Sequence, residues 1–351
     1  MTTVGIIVNP ASGKDIRRVI AAGTVVTNQE KINIVIRMLQ ACDAMGIDRA
    51  VIMPDPSHIA GRVIKAVKGE LQHLSVEELQ LPYLLGTWKD SLRATERFIE
   101  MGVDCLVVMG GDGTSRIVAK ACANIPLLPI STGTNNVFPR MTEGTLAGLA
   151  AAAVASGVVA VPQACRQAPR LELRDENNEL VDIALVDLVV LDAMDTGSRA
   201  VWDSDSIKAL FLTMASPVDI GLSSIGGWLG TDGLPAGQAL AVFTGGNQGK
   251  RILAPIAPGL MAPITVSSHF NFTRDQAQVI PLREGVIALD GERELLLGGR
   301  QLTVNINPDG PLVIKVNDTL RAAASAGMLN IDRLSSKAAN HERNNTSEER
   351  A

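Results

Sequence analysis

Cys105-Leu106-Val107-Val108-Met109 runs directly into Gly110-Gly111-Asp112-Gly113-Thr114, and a helix-patterned stretch follows with Ile117, Val118, Ala121 and Cys122 on one face. An apolar run that ends in a glycine-rich turn opening a helix is the order in which a parallel sheet delivers a ligand site. Little side chain stands between this turn and a passing group. Backbone N–H donors can therefore approach an anion closely, and one carboxylate, Asp112, is left at the rim.

Outward from this turn, the chain up to about Pro162 keeps the same rhythm. Val4 to Val8, Ala50 to Met53 and Pro126 to Ile130 read as further strands. Between them, Thr27 and Glu30 form a capping-box pattern before Ile32, Val35, Ile36 and Leu39, while Leu92, Thr95, Phe98 and Ile99 mark a second amphipathic helix. Leu146 to Ala155 is Ala-rich and predicts a packed helix.

From about Arg170 the rhythm turns to β. Leu171 and Leu173 alternate with charged residues, Asn177-Asn178 signals a turn, and Ile183 to Leu191 reads as one strand. Ala239 to Phe243, Ile252 to Pro255, Ile264 to Ser267, Val286 to Leu289 and Leu302 to Ile306 continue the pattern. Residues 196–236 read as loops around a helical patch near Ile207 to Met214. Leu312 to Val316 and Thr319 to Ala326 resemble the first half again, so the chain crosses back to close it. The prediction is α/β plus all-β. Residues 1–163 form a parallel-sheet nucleotide-binding domain completed by 309–334, residues 164–308 form a β-rich, sandwich-like domain, and 335–351 are a disordered tail.

Composition narrows the function classes. A net charge of −5 and ten aromatics (three Trp, one Tyr, six Phe) do not suit a surface that neutralises duplex phosphates or stacks unpaired bases, so no nucleic-acid partner is expected. No apolar run approaches the roughly 20 residues that cross a bilayer. The chain also enters Val4 to Val8 without a basic leader, which predicts a cytoplasmic protein with no membrane partner. Cys42, Cys105, Cys122 and Cys165 show no CxxC spacing, and His58, His73, His269 and His341 show no metal-ligand spacing, so no metal site is expected.

Ligands of a parallel sheet sit beyond the carboxyl ends of its strands, which directs three loops toward one crevice: Asn9 to Lys14, Gly110 to Thr114, and Ser131 to Asn136. All three combine glycine with hydroxyl or amide side chains, as a polyphosphate held by short donors requires. Residue 116, where the last glycine of GxGxxG would fall, is Arg116, and no GxxxxGK[ST] occurs. Asp112 in such a turn can accept the proton of a substrate hydroxyl as that oxygen attacks a terminal phosphoryl group; its alternative is to cap its own turn. Lys14, Arg140, Lys250 and Arg251 could screen phosphate charge, with solvated surface charge the commoner role, and Trp88, Trp202 and Trp228 could stack on a flat ring, with packing the commoner role.

These motifs resemble the NAD kinase and diacylglycerol kinase superfamily, marked by a GGDGT turn and an Asn-Pro-x-Ser-Gly-like loop. Here these are Gly110 to Thr114 and Asn9-Pro10-Ala11-Ser12-Gly13. Gly133-Thr134-Asn135-Asn136 is similar to the GTxN segment of its lipid kinases, and Pro255 to Pro258 and Leu289-Asp290-Gly291 are similar to parts of the NAD kinase β domain. The likeness spans roughly residues 4–330 and resembles in particular the AcoX branch, associated with acetoin catabolism.

The resemblance implies an NAD kinase-like two-domain fold, with ATP and Mg²⁺ between the domains and the ion held mainly through phosphates. It implies Asp112 as general base and Gly110, Gly111, Gly113 and Thr114 around the phosphates. Asn9 would reach them from the first loop, and Thr134, Asn135 and Asn136 from the third. It also implies a homo-oligomer, dimer or tetramer. Asp187 is the acceptor-binding candidate, in Ala184-Leu185-Val186-Asp187-Leu188, where Val186 replaces an amide that NAD kinases use on the dinucleotide. The loop Gly221 to Gly226 is a reduced counterpart of another of their ligand loops. The expected function is an ATP-dependent phosphotransferase acting on a hydroxyl of NAD or a related small molecule. The alternatives are a nucleotide-binding accessory protein of a catabolic pathway and a lipid-type kinase.

Overall fold

Strands buried on both faces need cover on both sides, and the N-terminal half supplies it. In a computed structural model of the chain, which describes residues 1–13, 26–133, 135–194, 204–246 and 248–330, all six residues of β1 (Thr3–Val8) are buried. β2 (Arg49–Ile52), β3 (Ser75–Glu78), β4 (Cys105–Gly110) and β5 (Leu127–Ser131) join it in parallel. Thr134, Lys14, Trp202 and the tail 335–351 lie outside the described residues.

One face of this sheet carries α1 (Asn28–Ala44) and α2 (Ile59–Val67), through Ile32, Val35, Leu39 and Val63. The other carries α3 (Trp88–Glu100) and α4 (Asp112–Ala119), through Phe98 and Val118. Thr27 caps α1, its Oγ1 accepting from Glu30 N at 3.1 Å. α5 (Gly144–Ala155) joins the first face and lies so close to α1 that a Cβ on Gly148 would sit 2.4 Å from the Met38 carbonyl oxygen. The short α6 (Val161–Ala164) then leads into β6 (Cys165–Gln167).

The second half is antiparallel. β7 (Arg170–Arg174) and β8 (Leu180–Ala184) belong to a four-stranded sheet. β9 (Asp187–Leu191), β10 (Ile207–Leu212), β11 (Gln238–Thr244), β12 (Lys250–Ala257) and β13 (Leu260–Thr273) belong to a seven-stranded one, with α7 (Ser224–Trp228) packed beside β12. β14 (Gln278–Val279) and β17 (Thr303–Asn307) complete the small sheet, and β15 (Val286–Leu289) and β16 (Glu292–Leu296) the large one. Alternation divides β9: Leu188 and Val190 face the small sheet with Leu171 and Val304, whereas Val189 and Leu191 face the layer holding Ile225. β18 (Leu312–Ile314) returns to the first sheet, parallel to β5, and α8 (Val316–Ser325) packs on α5. The chain thus pairs an α/β parallel-sheet domain with an all-β domain.

Two sequence expectations are corrected. The helical patch near Ile207 to Met214 is strand β10, central between β9 and β11. Its residues are buried on both faces, Leu210 and Leu212 on one and Ala209 and Phe211 on the other, and such a run has no period that separates it from a buried helix. Ile183 to Leu191 is two strands, because the N–H groups of Leu185 and Val186 donate to the Asp290 carboxylate instead of a ladder.

Candidate active site

A cleft of about 630 Å³ opens beyond the carboxyl ends of β1, β4 and β5. It is lined by Asn9 to Gly13 of the first loop, Gly111 to Thr114 of the second, and Gly133, Asn135 and Asn136 of the third. The loops bind one another. Asn9 Nδ2 donates to Thr114 Oγ1 at 2.8 Å, Ser12 Oγ lies 2.8 Å from Thr132 Oγ1, and Asn136 Nδ2 donates to Ser131 Oγ at 2.8 Å. The Asn136 amide lies between two glycines: a Cβ on Gly111 would stand 2.9 Å from its Oδ1, and one on Gly133 2.7 Å from its Nδ2. Gly110 does not line the cleft; it lies against Thr114, whose Cβ would be 2.5 Å from a Cβ at that position.

Helix α4 starts at the cleft with Gly111 as N-cap and no side-chain cap. The amides of its first turn have no intrahelical partners and carry the positive end of the helix dipole. Asp112, the first helical residue, is 8% exposed. Its Oδ1 accepts from Val137 N at 3.1 Å and Phe138 N at 2.8 Å, and its Oδ2 from Val137 N at 3.1 Å. Burial, then the neighbouring charge of Asp290, pushes its carboxyl up to about 8 against those two donors.

Asp290 comes from the other domain, in the turn between β15 and β16, with φ 51°. It accepts from the N–H groups of Leu185, Val186 and Asp187. Burial raises it to about 6, and Arg116 together with those donors holds it from rising further. Arg116 is 1% exposed on α4, one turn after Asp112. Its Nη1 is 3.2 Å from Asp182, its Nη2 2.8 Å from Glu294, and its Nε 3.7 Å from Asp290, so one side chain fastens the two domains beside the cleft. Arg140 and Asp219 make a second link at 3.2 Å.

Asp187 does not line the cleft. Its Oδ1 accepts from Gly291 N at 3.1 Å, supporting the Asp290 turn from behind. Val186 is buried among Leu185, Val137 and Phe138, so its side chain is packing. Lys250 and Arg251 do not line the cleft either.

Several residues of the site carry no motif. Lys31 is fully buried, and its Nζ donates to the carbonyls of Asn9 and Ser12 at 2.8 and 2.9 Å, holding the first loop in place. The signal for it was its place on the face of α1 shared with Val35, Met38 and Cys42. Arg116 is four residues after Asp112 and so shares its face, and Asp290-Gly291 ends an apolar run as the glycine turn does. Glu292 and Glu294 give no such signal.

Six carboxylates line the cleft, and among the described residues Arg116 is its one cation. Asp55 and Asp90 are spent on local turns, accepting from the N–H groups of Ser57 and Ile59 and of Leu85 and Gly86. Asp112 and Asp290 also accept from backbone N–H groups, Glu294 is paired with Arg116, and Glu292 lines the cleft beside them. Oxygen donors beside a bare helix N-terminus fit a hard cation that arrives with phosphates and shares their oxygens.

Residues 4–158 match the family model for the ATP-NAD kinase N-terminal domain, and residues 169–309 that for the acetoin catabolism protein X C-terminal domain. Acetoin catabolism protein X of Cupriavidus necator (strain H16) is 37% identical over 324 residues, 90% of this chain and 88% of that protein. The chain belongs to the acetoin catabolism protein X family. Among solved structures, a candidate diacylglycerol kinase from Bacillus anthracis str. Sterne is similar with a TM-score of 0.44 at 12% identity, covering 89% of this chain and 97% of that one. In this family member both matched segments contribute to the cleft, the kinase-type one through Asp112 and Arg116 and the X-type one through Asp290 to Glu294. Among the described residues no helix is long and apolar enough to cross a membrane.

Proposed function

We propose that this protein is an ATP-dependent phosphotransferase that phosphorylates a hydroxyl of NAD or a related small molecule and serves acetoin catabolism. One observation carries the reaction class: Asp112 opens α4 in a cleft where three loops present donors, and burial raises its carboxyl well above the usual carboxylate range, as suits a general base. The pathway rests on kinship to the Cupriavidus necator protein. Buried Val186 offers no side-chain donor, which favours an acceptor that makes fewer contacts there than NAD would.

In this reading the amides of residues 112–114, the Thr114 hydroxyl, and the Asn9, Asn135 and Asn136 amides bind the phosphates of ATP; Gly110 frames the second of these turns. Mg²⁺, when bound, would supply charge neutralisation on those phosphates and be held mainly through them, with Glu292 at the cleft wall as the side chain that would share it. Asp112 takes the acceptor O–H proton, the acceptor oxygen bonds to the γ-phosphorus, and the bond from that phosphorus to the β–γ bridging oxygen breaks, releasing ADP. Arg116 holds Asp290 beside Asp112, and Asp187 acts by supporting the Asp290 turn.

The test has two stages. ATP with Mg²⁺ at about 100 times its dissociation constant adds roughly 2.7 kcal/mol of stability, a clear rise in melting temperature. ATP labelled at the γ-phosphate is then offered with NAD, and separately with a metabolite extract, and label is expected on an acceptor. Binding of ATP with no labelled product would replace this reading with that of a non-catalytic nucleotide-binding protein.

A further inference from the structure

The loop before α3 exposes four large apolar side chains within six residues, Tyr83, Leu84, Leu85 and Trp88, each between 40% and 57% accessible. Of these four, Trp88 alone lines the cleft, and an exposed apolar ring at the mouth of a cleft marks a place where something docks. Trp88 is the first residue of α3, where the Thr87–Asp90 capping box fixes the backbone. Its ring, 43% exposed, lines the same cleft as Gly111 and Asp112. The Nζ groups of Lys89 and Lys120 lie 5.8 and 5.7 Å from the ring centroid, within cation–π range.

The cleft is divided by chemistry. Met53, Pro54, Pro56 and Trp88 contribute apolar surface, while the glycine turn and its neighbouring loops contribute donors. A ligand with a flat ring at one end and a phosphate chain at the other satisfies both parts.

We propose that Trp88 is the stacking platform for the heteroaromatic ring of a nucleotide whose phosphates rest on the Gly111–Thr114 turn. This rests on the phosphate-binding reading above and adds the part of the cleft that recognises the base. Adenine and nicotinamide share the required chemistry, and the ligand arms of the test separate them.

Trp88→Ala and Trp88→Phe are titrated calorimetrically against ATP, NAD and inorganic tripolyphosphate, each with Mg²⁺, beside wild type. Melting temperatures check that both variants fold, as the exposed position leads one to expect. Loss of one stacked base weakens binding about 5- to 150-fold. That loss is expected in Trp88→Ala for whichever nucleotide binds, with most of it restored in Trp88→Phe. Tripolyphosphate, which has no ring, is expected to bind all three proteins within about twofold. Wild-type nucleotide affinity in Trp88→Ala, with tripolyphosphate still bound, overturns the ring subsite and leaves the phosphate site standing. An equal loss for tripolyphosphate and nucleotide overturns it too. Failure of wild type to bind any of the three removes both readings.

Discussion

Replacing Asp112 by Asn separates chemistry from fold at a single pair of atoms. Oδ1 accepts from both Val137 N and Phe138 N, whereas Oδ2 has only a share of Val137 N. An Asn with its carbonyl in the Oδ1 position keeps both bonds and cannot take a proton from a hydroxyl. Removing a positioned general base typically costs about 10²- to 10⁴-fold in rate. Phosphoryl transfer by Asp112→Asn is therefore expected to fall within that range, with ATP still bound.

The same substitution changes stability with pH, and the direction is fixed. The Asp112 carboxyl moves from 3.8 to about 8 on folding, so its contribution is fully present below 3.8 and is lost as pH rises through 8. About four pK units at 1.36 kcal/mol each set a ceiling of roughly 5 kcal/mol on that loss. Calorimetric melts of Asp112→Asn should match wild type near pH 4 and exceed it at pH 9. Asp112→Ala leaves two buried N–H groups without acceptors, about 1 to 3 kcal/mol each, and should melt below wild type at every pH. An Asn variant that transfers phosphate at the wild-type rate, or melts lower than wild type at pH 9, would refute the assignment of a buried, proton-accepting carboxyl.

Three further outcomes follow from named contacts. Arg116→Met strips a buried cation from Asp182, Asp290 and Glu294, and a broken buried pair costs about 3 to 5 kcal/mol, so an unchanged denaturant midpoint would contradict its fastening role. Burial acts upward on Glu172, but hydrogen bonds from Asn307, Arg174 and Arg170 outweigh it and hold the carboxyl at about 2. Its contribution, at most roughly 3 kcal/mol, is present above 4.5 and lost as pH falls through 2. Acid titration of Glu172→Gln should show a flatter low-pH limb, and an unaltered limb would show that other groups set it. Gly148→Ala drives a Cβ to 2.4 Å from the Met38 carbonyl, and overpacking of this kind costs about 1 to 3 kcal/mol, read as a lower melting temperature; no change would mean that α1 and α5 separate freely.

What the sequence disclosed was set by where each element meets water. β1 and β4 are apolar from end to end because helices cover both faces, so they read as parallel-sheet strands and located the turn after Met109. β3 is Ser75-Val76-Glu77-Glu78 at the sheet edge, half solvated, and has no apolar signature to find. β10 failed for the opposite reason, having apolar residues on both faces and therefore no period.

The site divides along the same physical line. Residues beside a glycine turn, such as Asn9, Asp112 and Asn136, announce themselves because a close-approaching backbone limits its neighbours to short donors. Residues that act across the domain boundary do not. Arg116 and Glu294 are 178 positions apart and meet only once the β domain has folded against α4. In the sequence, Arg116 was informative for the glycine it replaces in GxGxxG; in the fold it is what allows Asp290 to approach Asp112. A buried guanidinium needs acids around it, and the small turn after Met109 has room for none beyond Asp112, so the β domain supplies them. The arginine that removes the dinucleotide-binding fingerprint thus ties the second domain to this turn, and one of the carboxylates it gathers, Asp290, adds to the burial that raises the proton affinity of Asp112.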